Sequence, residues 1–246
     1  MNPQRLFAVI EKEFALAFAS WTAWGMILVP VAALTALLLY ILHVVMVISR
    51  SGAPDWLLNY FLVFFVAMPA LNATKMAASG IMGDKASKSL EPLLATPLTP
   101  CELIIGKLLV AVLPPVFVAG VAYQVFFHVV GTWKITAASL FGDIGGAHCL
   151  FVMFIMTLLL TNLVALVGFL VAARKTEPRN AVLASTTAAE GVLLLPVAGV
   201  YYGCHYHVTG AIWATEIVGL LLLANALLFL IGLALFQRER ILFKWK

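Results

Sequence analysis

Glu190 lies in the middle of an apolar run from residue 181 to residue 203, where an ionisable side chain is costly and usually functional. Asn162 and Asn225 lie at similar positions within two other apolar runs. Equal helical rise would bring the three side chains to one depth, and we predict a polar layer there. Such a layer either lines a translocation path or a subunit contact, or the two amides hydrogen-bond a protonated Glu190 and hold helices together. The sequence favours neither interpretation.

Sequence motifs for catalysis are not found. A P-loop would need glycine where Cys101 stands and a hydroxyl where Leu108 stands, beside Gly106 and Lys107. Neither His-Glu-x-x-His nor Gly-x-Ser-x-Gly occurs, so a membrane protease or lipase is disfavoured. The three cysteines of the chain are too few and too scattered for a disulfide framework or a four-thiolate zinc site. We therefore expect no enzyme activity, cofactor or metal in this chain.

The composition is that of a membrane protein, because 63% of the 246 residues are hydrophobic, 11% are charged and the mean hydropathy is +1.06. Crossing a bilayer takes about 20 apolar residues. Six runs of that length predict an all-α membrane protein with one transmembrane domain over residues 1–246. The predicted spans are 24–48, 56–76, 107–130, 147–172, 181–203 and 212–236.

The lysine and arginine residues predict the orientation. Thirteen of the 15 lie on one side of the six spans, and only Arg50 and Lys134 lie on the other. The positive-inside rule then places both termini in the cytoplasm. The net charge of +4 is small, and the placement of the basic residues leads us to expect a lipid bilayer and not nucleic acid as their partner.

Residues 1–20 predict an amphipathic helix that lies in the membrane surface. One stripe carries Leu6, Phe7, Ile10, Phe14, Ala17 and Phe18, whereas Gln4, Arg5, Glu11 and Lys12 face away. Val9 and Leu16 fall off that stripe. The alternative is that this helix extends the first span into the cytosol.

The only sizeable polar segment is a predicted cytosolic loop at 77–106. Thr99, Pro100 and Glu102 have the spacing of a capping box with proline at the first helical position, which predicts that a new helix begins there. Before it, residues 90–94 can form a short helix of one or two turns with exposed leucines.

This loop resembles the signature of type-2 ABC transporter permeases, the ABC-2 membrane subunits. The resemblance is carried by Asp84-Lys85-Ala-Ser-Lys88-Ser-Leu90-Glu91-Pro-Leu93-Leu94-Ala-Thr96-Pro97, followed by Glu102 and by Gly106-Lys107. It covers about 25 residues, and six spans after a surface helix extend it to the whole chain. The chain departs from the family pattern at Lys88, where glycine is common.

The resemblance implies that the short helix inserts into a groove on a separate ATPase subunit, which binds ATP and Mg²⁺. The implied coupling residues are Lys88, Leu90, Glu91, Leu93, Leu94, Thr96 and Pro97. It further implies an exporter built from two permease subunits, identical or related, in a plasma membrane, which in bacteria is the inner membrane. The alternative for the leucines is that they rest on the bilayer or on this chain's own helix ends.

Three other classes of protein stay open. A secondary transporter or ion channel would use Glu190 as its coupling or conducting carboxylate. A membrane-embedded enzyme is disfavoured because the carboxylates are isolated, and a structural anchor would need no transport path. The sequence does not specify the substrate, the direction of transport, or the charge of Glu190.

Overall fold

The computed structural model describes residues 3–18, 21–49, 55–86, 99–132, 146–206 and 210–235. Nearly all of these residues are helical, and the described part of the chain contains seven helices. They are α1 (Pro3–Phe18), α2 (Trp21–Ser49), α3 (Asp55–Ala86), α4 (Pro100–Thr132), α5 (Gly146–Arg174), α6 (Pro178–Tyr206) and α7 (Gly210–Leu235). The predicted all-α fold is confirmed.

Four of the described helices are long and apolar enough to cross a membrane, namely α2, α4, α5 and α7. This indicates a membrane protein. The helices α3 and α6 have 32 and 29 residues, enough length to cross, but they carry more polar and charged side chains. The prediction of six spans therefore rests for α3 and α6 on their length and on the sequence.

Helical structure extends into the predicted cytosolic loop, 77–106, from both sides, and on the side of α4 it begins where the capping box predicts a new helix. Helix α3 continues to Ala86 and α4 begins at Pro100. The inner end of α3 buries Ala77, Ala78, Ile81 and Met82 against neighbouring helices. The apolar run ends near residue 76, but the helix continues to Ala86 because one apolar face packed on neighbouring helices is sufficient to hold it.

Helix α3 is the central element of the bundle and contacts α4, α5 and α6. Near its beginning, Phe61 and Phe65 pack on Tyr123 and Phe126 of α4, and the rings of Phe65 and Tyr123 meet edge to face at 5.8 Å between centroids. Small residues then allow α3 to approach α5 closely. The helices α2 and α7 lie outside this core, where α2 contacts mainly α4 and α7 contacts α5.

Three helices meet at Gly168 of α5. A Cβ atom at this position would lie 2.5 Å from Cγ2 of Thr74 on α3, so only glycine fits the observed spacing. From the third helix, α6, the hydroxyl of Ser185 lies 3.0 Å from the carbonyl oxygen of Gly168 and 2.7 Å from that of Ala181, within donating distance of both. Small residues that permit such close approach are typical of helix contacts in membranes.

Helix α1 uses two faces, which explains why Val9 does not fit the predicted apolar stripe. Val9 and Glu13 are buried, and α1 packs mainly on α4. Phe7, by contrast, is 67% exposed and Phe14 is also exposed, on the side predicted to meet lipid. The predicted helix is confirmed, and its location in the membrane surface stays a prediction.

Gly168→Ala should destabilise the bundle by about 1–3 kcal/mol, the usual cost of overpacking a filled core. Thr74 is fully buried and its hydroxyl donates to the carbonyl oxygen of Ala70 at 2.8 Å, so a shift of its side chain is costly. Unfolding by a denaturing detergent in micelles would measure the change. Gly219→Ala is the matched control, because no atom lies within 4 Å of a Cβ there. Wild-type stability of Gly168→Ala would contradict the close approach of α3 and α5.

Candidate functional site

The beginning of α4 has the capping box that the sequence predicts. The amide of Thr99 donates to Oε2 of Glu102 at 2.9 Å, and the amide of Glu102 lies 3.3 Å from the Thr99 hydroxyl, to which it donates. The two contacts satisfy backbone donors that the first helical turn leaves unpaired. Because Glu102 is only 1% exposed, this cap is built into the bundle.

The predicted coupling residues lie outside the described part of the chain. They are Lys88, Leu90, Glu91, Leu93, Leu94, Thr96 and Pro97, within residues 87–98. Their role and the short helix stay predictions. The structure does describe the residues on both sides of this segment, at the end of α3 and at the beginning of α4.

At the end of α3, Lys85 holds the end of α5. Its ammonium lies 2.8 Å from the carbonyl oxygens of Ala173 and Lys175, and 3.3 Å from that of Ala172. Terminal carbonyls have no partner within their own helix and favour a cation. Partial burial lowers the pKa of Lys85 below its ordinary value, because desolvation disfavours the ammonium. The carbonyl contacts offset part of that desolvation cost.

The preceding residue, Asp84, belongs to a buried group of three charges. The ammonium of Lys107 on α4 lies 2.6 Å from Oδ2 of Asp84 and 2.8 Å from Oε1 of Glu13 on α1. The exposed fraction of the Lys107 side chain is 5%, against 9% for Asp84 and 11% for Glu13. We call these three residues the ionic clamp. A buried charge is tolerated when it is paired in this way.

The segment 87–98 is therefore bounded by anchored residues on both sides. Asp84 joins the end of α3 to Lys107 of α4, which also contacts Glu13 of α1, and Lys85 joins it to α5. On the other side, the Thr99 cap starts α4 two turns before Lys107. The sequence points to Asp84 and Lys85 only as part of a motif and predicts no partner for Glu13. The two adjacent opposite charges at the end of α3 were the available signal.

Within the apolar part of the bundle, the structure pairs two of the three residues of the predicted polar layer. Nδ2 of Asn162 on α5 donates to Oδ1 of Asn225 on α7 at 2.8 Å. The Asn225 amide nitrogen in turn donates to the carbonyl oxygens of Leu159 at 3.0 Å and Leu221 at 2.8 Å. This network ties the peripheral helix α7 to α5, so the predicted proximity of these two asparagines is confirmed.

Glu190 is not part of that network. It lies twelve residues after Pro178, about 18 Å along α6, and its side chain is exposed. The opposite side of α6, with Ala181, Ser185 and Ala189, is fully buried. Among the described residues, no hydrogen bond or ion pair is found for Glu190, so the interpretation in which the two asparagines bind it is not supported within one chain.

Several neighbouring side chains on one side of α6 are exposed. Leu183, Thr187 and Leu194 share this side with Glu190. The Thr187 hydroxyl lies 3.1 Å from the carbonyl oxygen of Leu183 and 3.0 Å from that of Ala184, within its own helix. Its hydrogen-bonding capacity is therefore met locally, whereas the described residues show no partner for the Glu190 carboxyl.

Two further buried polar groups, Asn72 on α3 and Thr161 on α5, have side-chain atoms without a hydrogen-bond partner in the described part of the chain. No sequence pattern marks Asn72. No group of three or more potential metal ligands occurs among the described residues. Comparisons of the chain with models of protein families, with curated proteins and with solved structures find no match.

The Asn162–Asn225 contact should be measurable by a double-mutant cycle. Asn162→Leu, Asn225→Leu and the double variant should reveal a coupling energy of about 0.6–1.7 kcal/mol, the range found for hydrogen bonds between membrane helices. Detergent unfolding of the purified chain would provide the four stabilities. Additive effects of the two substitutions would contradict the contact.

Proposed function

We propose that this chain is the membrane permease subunit of an ATP-binding cassette transporter of the ABC-2 type. In this proposal α2 to α7 are the six spans, α1 is the surface helix, and residues 87–98 contain the coupling helix. A separate ATPase subunit binds ATP and Mg²⁺ and docks on that segment. Its closure on ATP would push the segment, and the spans would rearrange to export a substrate.

The observation that carries the proposal is the anchoring of both ends of residues 87–98. A segment that receives force from a motor protein must pass it to the helices, and a loosely attached loop would absorb it. Lys85 and Asp84 attach the preceding helix to α5 and α4, and the Thr99–Glu102 cap fixes the start of the next helix. The coupling residues implied by the ABC-2 resemblance, from Lys88 to Pro97, lie between these attachments in the chain.

The charge distribution supports the proposed location. Lys85, Lys107, Arg174 and Lys175 lie on the same end of the bundle as the coupling segment, which the positive-inside rule assigns to the cytoplasm. An ATPase in the cytoplasm can reach that end. We therefore propose a plasma membrane, the inner membrane in bacteria, with both termini in the cytoplasm.

The exposed carboxyl of Glu190 supports the second part of the proposal, a partner permease. A charged side chain that faces lipid at the centre of a helix costs about 2.5–3.5 kcal/mol on the insertion scale. A second permease subunit against this side of α6, or a water-filled path between two subunits, would remove that cost. Identical and related partners both satisfy this requirement.

The same exposed carboxyl favours one alternative, a secondary transporter or ion channel that needs no ATPase. In that case Glu190 would bind and release a proton or a cation on the path. The alternative does not explain why the polar segment between α3 and α4 resembles a coupling helix.

Leu93→Asp should abolish co-purification of the ATPase, because a carboxylate would replace the apolar contact of the coupling helix. Thr176→Asp is the matched control, since Thr176 is exposed at the same end of the bundle. Both variants should remain monodisperse in detergent. Undiminished co-purification with Leu93→Asp would reject the proposed docking segment.

Liposomes that contain only this chain test the alternative. The ABC-2 proposal predicts no pH-gradient-driven proton or sodium flux, with wild type and Glu190→Gln both at the level of empty liposomes. Flux in the wild type that Glu190→Gln abolishes would favour the secondary transporter or channel. Glu216→Gln serves as the control, because Glu216 is an exposed carboxylate on α7.

A further inference from the structure

We propose that the ionic clamp of Glu13, Lys107 and Asp84 makes α1 a moving part of the coupling machinery, so that α1 follows the inner end of α4 when the coupling segment moves. This inference rests on the proposed function. It assigns to Glu13 the role of a positioning residue: it touches neither nucleotide nor substrate and acts through Lys107. The alternative is that α1 is a passive anchor that lipid alone holds in place.

The geometry of the clamp points to a mechanical role. One ammonium contacts two carboxylates from two other helices, at 2.6 and 2.8 Å. Glu13 and Lys107 are separated by 94 residues in the chain, and Asp84 lies next to the segment 87–98. The clamp therefore joins the surface helix to both helices that flank the proposed docking segment.

Lipid contacts alone would not hold α1 in one register. Apolar contact is non-directional, and a helix lying on a bilayer can slide within the membrane plane at little cost. A buried ion pair has one favourable geometry, and setting register is the best-attested use of such pairs. The two sides of α1 thus have different roles. The side with the exposed Phe7 faces lipid, and the side with the buried Glu13 holds the helix on α4.

At its far end, α1 is also connected to the first span. The Phe14 and Phe18 rings lie 4.6 Å apart, and the Phe18 ring lies 4.6 Å from the Trp24 ring on α2. Movement of α4 that carries α1 would therefore reach α2. The coupling segment would act on α2 through α1, in addition to its direct connection to α3 and α4.

The charge balance of the clamp allows a clean test. Two carboxylates face one ammonium, so Glu13→Gln leaves Lys107 paired with Asp84 and no buried charge without a partner. The bundle should stay folded with Val9 still packed in it, and only the charged contact that fixes α1 on α4 is lost. Glu11→Gln is the matched control, because Glu11 is an exposed carboxylate on the same helix. Asp84→Asn cuts the other arm and leaves α1 attached to α4.

Two thiols can report on the two helices. Cys101 is a native free cysteine in the first turn of α4, and Lys12→Cys places a reporter on α1. The complex with its ATPase is prepared with Cys149 and Cys204 replaced by serine, and each reporter is studied separately, with Cys101 also replaced when the α1 reporter is used. Labelling rates with a water-soluble maleimide are compared without nucleotide and with ATP and vanadate.

We expect nucleotide to change the labelling rate at both reporters in the wild-type background and in Glu11→Gln and Asp84→Asn. In Glu13→Gln the nucleotide response of the α1 reporter should vanish while that of Cys101 persists. Without nucleotide, labelling of the α1 reporter in Glu13→Gln should rise about tenfold, as expected from loss of one charge-assisted hydrogen bond. Glu13→Asp should restore part of the response.

The outcomes separate the two proposals. If Cys101 responds and the α1 reporter responds equally in wild type and Glu13→Gln, the clamp does not transmit motion and the inference fails, whereas the proposed function stands. A wild-type α1 reporter that is silent while Cys101 responds overturns the inference in the same way. No response at either reporter would overturn the proposed function, and the inference with it.

Discussion

Lys107 is charged and almost completely buried, and its need for partners organises the inner end of the molecule. Transfer of an isolated ammonium from water to the protein interior costs several kcal/mol even after relaxation. Two carboxylates from different helices meet that need. Because the partners come from α1 and α3, satisfying one charge on α4 also determines where three helices lie relative to one another. Lys85 does the same for α3 and α5 with backbone carbonyls as acceptors.

The polar side chains within the apolar part of the helices also need hydrogen-bond partners, and they differ in whether this chain supplies them. Asn162 and Asn225 satisfy each other and a neighbouring carbonyl, which attaches the peripheral α7 to the bundle. Glu190 has an exposed side chain instead, on the side of α6 that faces away from the core. A bilayer does not supply hydrogen bonds. The two asparagines are therefore satisfied within one chain, whereas Glu190 needs a partner from another chain or from water. This difference connects the fold to the proposed permease dimer.

Close packing at the centre gives these charged contacts a stable frame. Gly168 lets α3 and α5 approach until Thr74 fills the space beside it, and Ser185 brings α6 to the same point. Helices in lipid gain little from the hydrophobic effect between them, so packing of this kind and hydrogen bonds hold them together. With α3 held between α4, α5 and α6, displacement of its inner end is shared with its neighbours and is not absorbed by a flexible helix.

The sequence by itself determined the features that depend on neighbouring residues and on composition. The apolar runs predict long membrane helices, the spacing of Thr99, Pro100 and Glu102 predicts the cap of α4, and the bias of lysine and arginine predicts the orientation. Local patterns are sufficient there, because helical periodicity and capping involve residues within a few positions of one another. The proximity of Asn162 and Asn225 also followed, because depth along a helix can be counted.

Only the tertiary structure showed which partners the buried lysines bind. Glu13 and Lys107 are 94 residues apart, and Lys85 and Ala173 are 88 apart, so no periodicity relates them. Hydropathy also did not predict that α3 continues as a helix to Ala86, because the last turns are held by one buried face and not by an apolar run. The sequence also placed Glu190 in a layer with the two asparagines, whereas in the structure its side chain points away from them. Depth is set by the count of residues along a helix, but the direction in which a side chain points is set by which side of that helix the other helices occupy.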